Sequence, residues 1–305
     1  MDRKTAVALH AINAGQPLTP AIRAAAAGLA PGAPVVVMVH GFRFSPASTQ
    51  HDPHRHILSL TPTAGERRAV SWPAGLGFTA AGDEGLALAF GWEARGKLRH
   101  AYAQAGEVGA GLAALIDEVS EASGRAVAVI GHSLGARVAL SAMARVQPGS
   151  MGRVVLLAGA EFRDRAEAAL ATPGGRRAEV INVTTRENDP FDFAVELLLG
   201  RGQGATIGLG LSQRARNWID LQIDQPEVLA GLAALGFAVS APGSRACHWS
   251  PYLRAGMFDL YRAALCHPWS LPLPLIARHI PDRQAPRWSR LLRLRPAQSP
   301  SLGRA

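Results

Sequence analysis

A short apolar run that leads into a glycine-bracketed serine constrains this chain more than any other stretch. Residues 126–130 have the sequence Ala-Val-Ala-Val-Ile, which is typical of a strand buried on both faces of a sheet. The Ala- and Leu-rich residues that follow Gly135 are typical of a helix. Ser133 is therefore predicted to lie on a sharp turn between strand and helix, with its hydroxyl exposed above the sheet. Gly131 and Gly135 leave the space that a close crossing of strand and helix requires.

Other apolar runs along the chain predict that this strand is one of several. Strands are predicted at residues 5–11, 34–39, 68–72, 126–130, 153–158 and 179–184, with a further one within 212–223. Helices are predicted at residues 20–29, 96–123, 163–170, 226–235 and 251–265, and the glycine-rich residues up to 91 are expected to form a loop. Because buried strands alternate with helices, the pattern predicts an α/β fold: a mostly parallel central sheet with helices on both faces.

Composition bounds the class of protein. The 305 residues are 48% hydrophobic, which is enough for a sizeable core, and no apolar run approaches the roughly 18 residues that a membrane-spanning helix needs. Two cysteines, Cys247 and Cys266, form neither a disulfide framework nor a metal-site spacing. We therefore expect a protein of a reducing, cytoplasmic environment.

The net charge of +9 is concentrated near the C-terminus. Between residues 278 and 304 there are seven arginines and one acidic residue, Asp282, so the rest of the chain is closer to neutral. The sequence therefore predicts one domain at residues 1–267 and a basic Pro/Arg-rich tail at residues 268–305. We expect no nucleic-acid partner, and we leave open a weak contact between this tail and an anionic membrane.

A serine hydroxyl needs a base and an orienting acid to act as a nucleophile near neutral pH. When the serine follows a strand and precedes a helix in this way, its partners come in the order acid, then histidine. Asp189 follows a predicted strand and His248 precedes the last predicted helix, so both are expected beside Ser133 at the carboxyl ends of the strands. Asp192 and Glu187 are the alternatives for the acid.

Other histidines are less suitable as the base. His267 and His279 also follow the serine but lie beyond the last predicted helix, so His248 is preferred. His132 is expected to pack, because its side chain points away from that of its neighbour. The histidines at positions 51, 54 and 56 are expected to be solvated in a long loop rather than to bind a metal ion. We predict no metal and no cofactor.

Two backbone N–H groups are predicted to stabilise the negative charge that develops on a substrate oxygen. One belongs to Leu134, which follows the nucleophile at the N-terminus of a helix. The other belongs to Phe42, which follows the second predicted strand, with Gly41 permitting the turn. The site therefore combines an activated serine with an oxyanion hole.

Together these motifs resemble those of the α/β-hydrolase superfamily, and in particular of lipase- or esterase-like hydrolases from uncharacterised bacterial families. The resemblance spans residues 35–265 and depends on Val39-His40-Gly41-Phe42, Gly131-His132-Ser133-Leu134-Gly135, Asn188-Asp189-Pro190 and His248. It implies cleavage of a small-molecule or lipid-like carboxylic ester or thioester through an acyl-enzyme. The implied catalytic triad is Ser133, Asp189 and His248, and no cofactor is implied.

Two questions stay open at the level of sequence. The segment between Asp189 and His248 is long, so residues 43–66 and 186–245 are expected to contribute lid segments. The same scaffold also serves acyltransferases and non-catalytic binding proteins, because one fold hosts many functions. The sequence does not specify the acyl or the alcohol group of the substrate.

Overall fold

A seven-stranded sheet forms the centre of the protein in a computed structural model, which describes residues 9–63, 69–82, 84–202 and 204–292. Its strands are β1 (Leu9–Asn13), β2 (Val35–Val39), β3 (Leu86–Gly91), β4 (Val127–His132), β5 (Met151–Leu157), β6 (Glu179–Thr184) and β7 (Trp218–Gln222). They follow the order β1-β3-β2-β4-β5-β6-β7, and every neighbouring pair is parallel. The loops after β2, β4, β5 and β6 therefore all leave the sheet at the same edge.

Helices cover both faces of this sheet. They are α1 (Pro20–Ala27), α2 (Trp72–Gly75), α3 (Leu98–Ser123), α4 (Leu134–Met143), α5 (Arg163–Leu170), α6 (Asp189–Leu199), α7 (Pro226–Ala234), α8 (Ser250–Leu253), α9 (Met257–Cys266), α10 (Leu273–His279) and α11 (Ser289–Leu292). Alternate residues of β2 face opposite layers: Val37 and Val39 lie in one buried cluster, and Val36 and Met38 lie in the other. The predicted parallel sheet with helices on both faces is confirmed.

The third strand differs from the prediction. Residues 86–91, which were expected to form a loop, are a fully buried strand between β1 and β2. The strand predicted at 68–72 is not formed by residues 69–72, and residue 68 lies outside the described residues. There the Ser71 hydroxyl accepts from the Ala74 N–H and caps α2, whose first turn tolerates Pro73. The flanking glycines obscured a short apolar run that is the true strand.

The two segments expected to contribute lids are largely built into the body. Residues 186–245 include α6, α7 and the edge strand β7, which pairs with β6 along its length. In the segment 43–66, Ile57 and Leu58 are buried in the core, and residues 64–66 lie outside the described residues. Most of the described residues in these two segments therefore extend the sheet or pack on it.

The last predicted helix is two helices in the structure. Gly256, with a φ of 86°, lies directly before α9 and separates it from α8. An added Cβ on Gly256 would lie 2.9 Å from the Ala238 carbonyl carbon. Glycine therefore provides both the left-handed backbone and the close approach that this break requires.

The described part of the expected C-terminal tail packs on the body. Leu271, Leu273 and Ile276 are each no more than 2% exposed and belong to the core on one face of the sheet. Arg153 on β5 donates from Nη1 to the Leu271 carbonyl at 2.7 Å. The predicted boundary at residue 268 therefore does not mark the end of packing, and residues 293–305 lie outside the described residues.

Within the described ranges, no helix combines the length and the apolar character needed to cross a membrane.

Candidate active site

Ser133 occupies a strained turn between β4 and α4. Its φ of 56° and ψ of −122° are unusual for a residue with a side chain, and such strain persists only where surrounding contacts impose it. Those contacts come from the end of β5 and the loop after it: the Ser133 N–H donates to the Leu157 carbonyl, and the Ser133 carbonyl accepts from the Ala160 N–H, both at 3.0 Å. The predicted strand, sharp turn and helix are present at this serine.

Three glycines permit the close approach of backbone around this turn. A Cβ on Gly41 would lie 2.7 Å from the His132 carbonyl oxygen and 2.8 Å from the Ser133 Cβ. A Cβ on Gly135 would lie 2.6 Å from the His40 carbonyl oxygen, and one on Gly131 would lie 2.7 Å from the Gly135 carbonyl oxygen. The loop after β2 therefore lies directly against the serine turn.

A buried ion pair supports the turn from below. Arg137 on α4 binds Glu161 at 2.6 Å, and the Tyr102 hydroxyl donates to the same carboxylate at 2.5 Å. Glu161 directly follows Ala160, whose N–H donates to the Ser133 carbonyl. The Glu161 carboxylate therefore links the loop after β5 to α3 through Tyr102 and to α4 through Arg137. Burial raises the pKa of Glu161, while Arg137 acts against that shift.

His40 positions the loop that carries the predicted oxyanion donor. Its Nε2 accepts from the Trp92 N–H at 3.0 Å, so Nδ1 carries the proton and donates to the Gly41 carbonyl at 3.0 Å. The Trp92 indole N–H in turn donates to the His40 carbonyl at 3.0 Å. Complete burial lowers the pKa of His40 to about 3, so this ring is neutral at physiological pH.

The two predicted oxyanion donors, Leu134 and Phe42, are next in sequence to Ser133 and Gly41, which contact each other. Leu134 is the first residue of α4, so its N–H has no acceptor within the helix. Phe42 is half-buried and follows Gly41, which touches the serine turn. Their role in binding an oxyanion stays a prediction.

His248 lies beside the serine turn and bonds to an amide. Its Nδ1 is 2.6 Å from the side-chain oxygen of Asn188, which directly precedes α6. The His248 ring lies 4.5 Å from the ring of His132, the residue before Ser133, and stacks on Phe191 at 4.8 Å. Because an amide oxygen only accepts, Nδ1 carries the proton and Nε2 keeps its lone pair. This is the tautomer that a general base requires.

His132 also helps to position His248. Its Nε2 is 3.0 Å from the His248 carbonyl oxygen, so it donates to the backbone of the residue on whose ring it packs. Burial lowers the pKa of His132 to about 4. Burial also lowers the pKa of His248 well below its usual value, and the neighbouring His132 adds a smaller effect in the same direction. Both rings are therefore neutral near pH 7.

The acids predicted for this site have other partners. Asp189 lies 3.2 Å from Arg186 and accepts from the Trp288 N–H at 2.6 Å, so the contact with His248 Nδ1 belongs to its neighbour Asn188. Burial raises the pKa of Asp189, and Arg186 opposes this effect. Asn188 belongs to the Asn-Asp-Pro motif of the sequence, but it had no predicted role because a carboxylate was expected to bond to the base.

The two alternative acids differ in their surroundings. Glu187 forms a buried ion pair with Arg254 at 2.6 Å. Asp192 is 3% exposed, and its carboxylate lies against Gly208, where an added Cβ would be 2.7 Å from the Asp192 Cγ. Burial raises the pKa of Asp192 to about 7, while Arg186 and Arg287 oppose the shift.

The remaining histidines lie among other partners. His267 is exposed and packs against Trp269 at 5.3 Å, and His279 Nδ1 is 2.8 Å from the Leu275 carbonyl of its own helix. His54, one of the three loop histidines, bonds to the Asn13 side chain at 2.8 Å. In the described part of the chain, no three side chains of the ligating types are grouped as a metal site.

No protein-family model matches this chain. No curated protein matches it either. Among solved structures, a Bacillus licheniformis lipase in mature form is 14% identical with a TM-score of 0.36, and the match covers 68% of this chain and 86% of that one. The propeptide form of that lipase is 16% identical with a TM-score of 0.33, covering 59% and 42%. An Aspergillus fumigatus lipase B is 16% identical with a TM-score of 0.40, covering 88% and 64%. The described strands form a wholly parallel sheet, and Ser133 lies on the turn between β4 and α4.

Proposed function

We propose that this protein is a serine hydrolase that cleaves a carboxylic ester or thioester through an acyl-enzyme. The observation that carries the proposal is the strained Ser133 turn beside a neutral His248 whose Nδ1 is bonded to Asn188. Ser133 is the nucleophile and His248 is the general base. Asn188, rather than Asp189, is the group that orients the base.

The reaction follows from these roles. His248 Nε2 takes the proton of the Ser133 hydroxyl as the oxygen attacks the substrate carbonyl carbon. The resulting oxyanion is stabilised by the N–H groups of Leu134 and Phe42, each worth on the order of 3 kcal/mol in the barrier. Collapse of the tetrahedral intermediate breaks the ester bond, and His248 gives its proton to the departing alcohol or thiol. A water molecule then releases the acid by the reverse sequence of proton transfers.

An amide in place of a carboxylate changes what supports the base. The Asn188 oxygen orients the imidazole ring but carries no full charge with which to stabilise an imidazolium. The low pKa of His248 is consistent with a base that holds its proton only during the reaction. We therefore expect modest turnover, limited by formation of the charged ring.

Covalent labelling with a fluorophosphonate probe tests the proposal directly. The wild-type protein is expected to be labelled, Ser133→Ala is expected to lose all labelling, and Ser141→Ala, the same change further along α4, is expected to be labelled normally. Equal labelling of wild type and Ser133→Ala would contradict the assignment. A panel of nitrophenyl esters of increasing acyl length then defines the pocket, and competing alcohols distinguish hydrolysis from acyl transfer.

A further inference from the structure

We propose that a cavity between α3, α4 and α5 is a binding site for a small organic monoanion, a carboxylate on an apolar chain. The cavity has a volume of about 620 Å³, and neither Ser133 nor His248 lines it. The inference goes beyond the proposed function and does not depend on it, because no step of the ester cleavage uses this cavity.

Arg137 lies at the buried end of the cavity with part of its guanidinium unused. Its side chain is only 8% exposed. Nε donates to the Tyr102 carbonyl at 2.6 Å, and Nη1 donates to Glu161 at 2.6 Å. Nη2 has no hydrogen-bond partner among the residues that the structure describes. Because an unpaired donor on a buried cation is costly, an anion that accepted from Nη2 would gain a favourable interaction.

Two contacts hold this donor at the cavity wall. The guanidinium stacks on the Tyr102 ring, with Cζ 3.7 Å from the ring centre. On α3, a Cβ added to Gly106 would lie 2.7 Å from Arg137 Nη2, and Gly106 itself lines the cavity. Glycine therefore lets Nη2 lie at this wall. A donor that is fixed before binding loses little conformational entropy when a ligand arrives.

The charges that line the cavity favour a monoanion. Arg145 and Arg165 are exposed residues of the lining, and within the described ranges neither forms an ion pair. With Arg137 the lining holds three arginines, against the two glutamates Glu107 and Glu161, which leaves a net charge of +1. One carboxylate balances this charge, whereas a cation would increase it.

The rest of the lining favours an apolar chain on that carboxylate. Ala103 on α3, Leu140 on α4 and Ala168 on α5 all line the cavity, and so do Ala144 and Ala169. A ligand chain that covered these side chains would remove apolar surface from water. A carboxylate also matches the planar donor geometry of a guanidinium. These features together favour an amphipathic carboxylate over a small inorganic anion.

Octanoate is the probe, because it combines one carboxylate with an unbranched apolar chain. Its binding is measured by NMR of isotope-labelled alanine methyl groups in Ser133→Ala protein, in which no turnover can occur. The methyl resonances of Ala103 and Ala144, each assigned by replacement with serine, are expected to shift and saturate. Octanol has the same chain without the charge, and octylamine has the opposite charge. Both are expected to bind at least about tenfold more weakly than octanoate.

A variant at the exposed side of the cavity tests the role of charge. Arg165→Gln removes one positive charge and is expected to raise the Kd for octanoate by on the order of tenfold. Arg99→Gln is the control, because Arg99 is exposed on α3 and does not line the cavity. Arg137 is left in place, because its replacement would leave Glu161 buried without its ion-pair partner.

A second variant tests the location of the site. Ala168 is an exposed residue of the lining, so Ala168→Trp is expected to fill the cavity without overpacking the core and to abolish the octanoate-dependent shift of the Ala144 methyl group. Ala110→Trp is the control, because Ala110 is exposed on α3 outside the cavity. An unchanged shift in folded Ala168→Trp protein would contradict the proposed location.

Three other results would overturn the inference. They are methyl resonances of Ala103 and Ala144 that do not respond to octanoate, equal binding of octanol, and an unchanged Kd in Arg165→Gln. The proposed function is tested separately by fluorophosphonate labelling of the wild-type protein. Absence of that labelling, with octanoate binding as expected, would count against the proposed function alone.

Discussion

Replacing Gly135 by alanine tests whether the close contact between α4 and β2 is essential. An added Cβ would touch the carbonyl of Val39 and lie 2.6 Å from the His40 carbonyl oxygen, where ordinary contact begins at 3.4 Å. The helix must therefore move by at least about 0.8 Å relative to a backbone that cannot rotate away. We expect a cost of about 1–3 kcal/mol in the free energy of unfolding, as for other overpacked sites.

The same displacement separates the two halves of the predicted oxyanion hole. Leu134 moves with α4, whereas the loop of residues 40–42 is held by Trp92. A misplacement near 1 Å is enough to reduce catalysis by roughly 10²-fold. We therefore expect kcat/KM for a nitrophenyl ester to fall by about that factor.

Gly111→Ala is the matched control, because it makes the same change in a helix. Gly111 is exposed on α3, and an added Cβ would meet nothing within 4 Å. This variant is expected to gain about 0.5–1 kcal/mol from helix propensity and to keep its activity. Urea unfolding followed by tryptophan fluorescence gives both free energies. If Gly135→Ala matched Gly111→Ala in stability and activity, the argument from close contact would be refuted.

Further predictions concern charge and burial. His40→Asn should destabilise the protein at pH 7. Because burial lowers the pKa of folded His40 to about 3, the difference in free energy of unfolding from wild type should narrow by about 1.4 kcal/mol for each pH unit below 6.5. Denaturant unfolding between pH 5 and 7 measures this difference, and a constant value would contradict the prediction. Arg254→Met leaves Glu187 buried without its ion-pair partner and should cost about 3–5 kcal/mol, of which Glu187→Gln restores part, as measured by a double-mutant cycle. Gly208→Ala should displace the Asp192 carboxylate and cost about 1–3 kcal/mol in the free energy of unfolding, and unchanged stability in urea would argue against that contact.

The sequence predicted those elements whose pattern is set by burial alone. Runs such as Val35–Val39 and Val127–His132 are apolar throughout because parallel strands are covered on both faces, and they were located within a residue or two. The strand Leu86–Gly91 was missed because nearby glycines and its short length resemble a loop. The break at Gly256 was missed because the helical pattern continues on both sides of it.

The site was only partly predictable for a chemical reason. The strand–turn–helix pattern located Ser133, and the order of residues pointed to His248. The residue that bonds to His248 is Asn188, one position before the expected acid, because a short 3-10 turn precedes α6 and directs Asp189 toward Arg186 and Trp288. A pattern of residue types does not reveal which of two neighbouring side chains faces inward. That choice depends on backbone turns which tertiary contacts determine.

The docked C-terminal segment has a consequence for synthesis of the protein. A chain that has been translated only to residue 267 already contains the seven described strands together with Ser133 and His248. It still lacks Leu271 and Ile276, which complete one hydrophobic layer, and residues 287–288, which bind Glu196 and Asp189 on α6. The nascent chain therefore contains Ser133 and His248 before it contains the residues that complete this layer, and we expect full packing only after the C-terminal segment has left the ribosome.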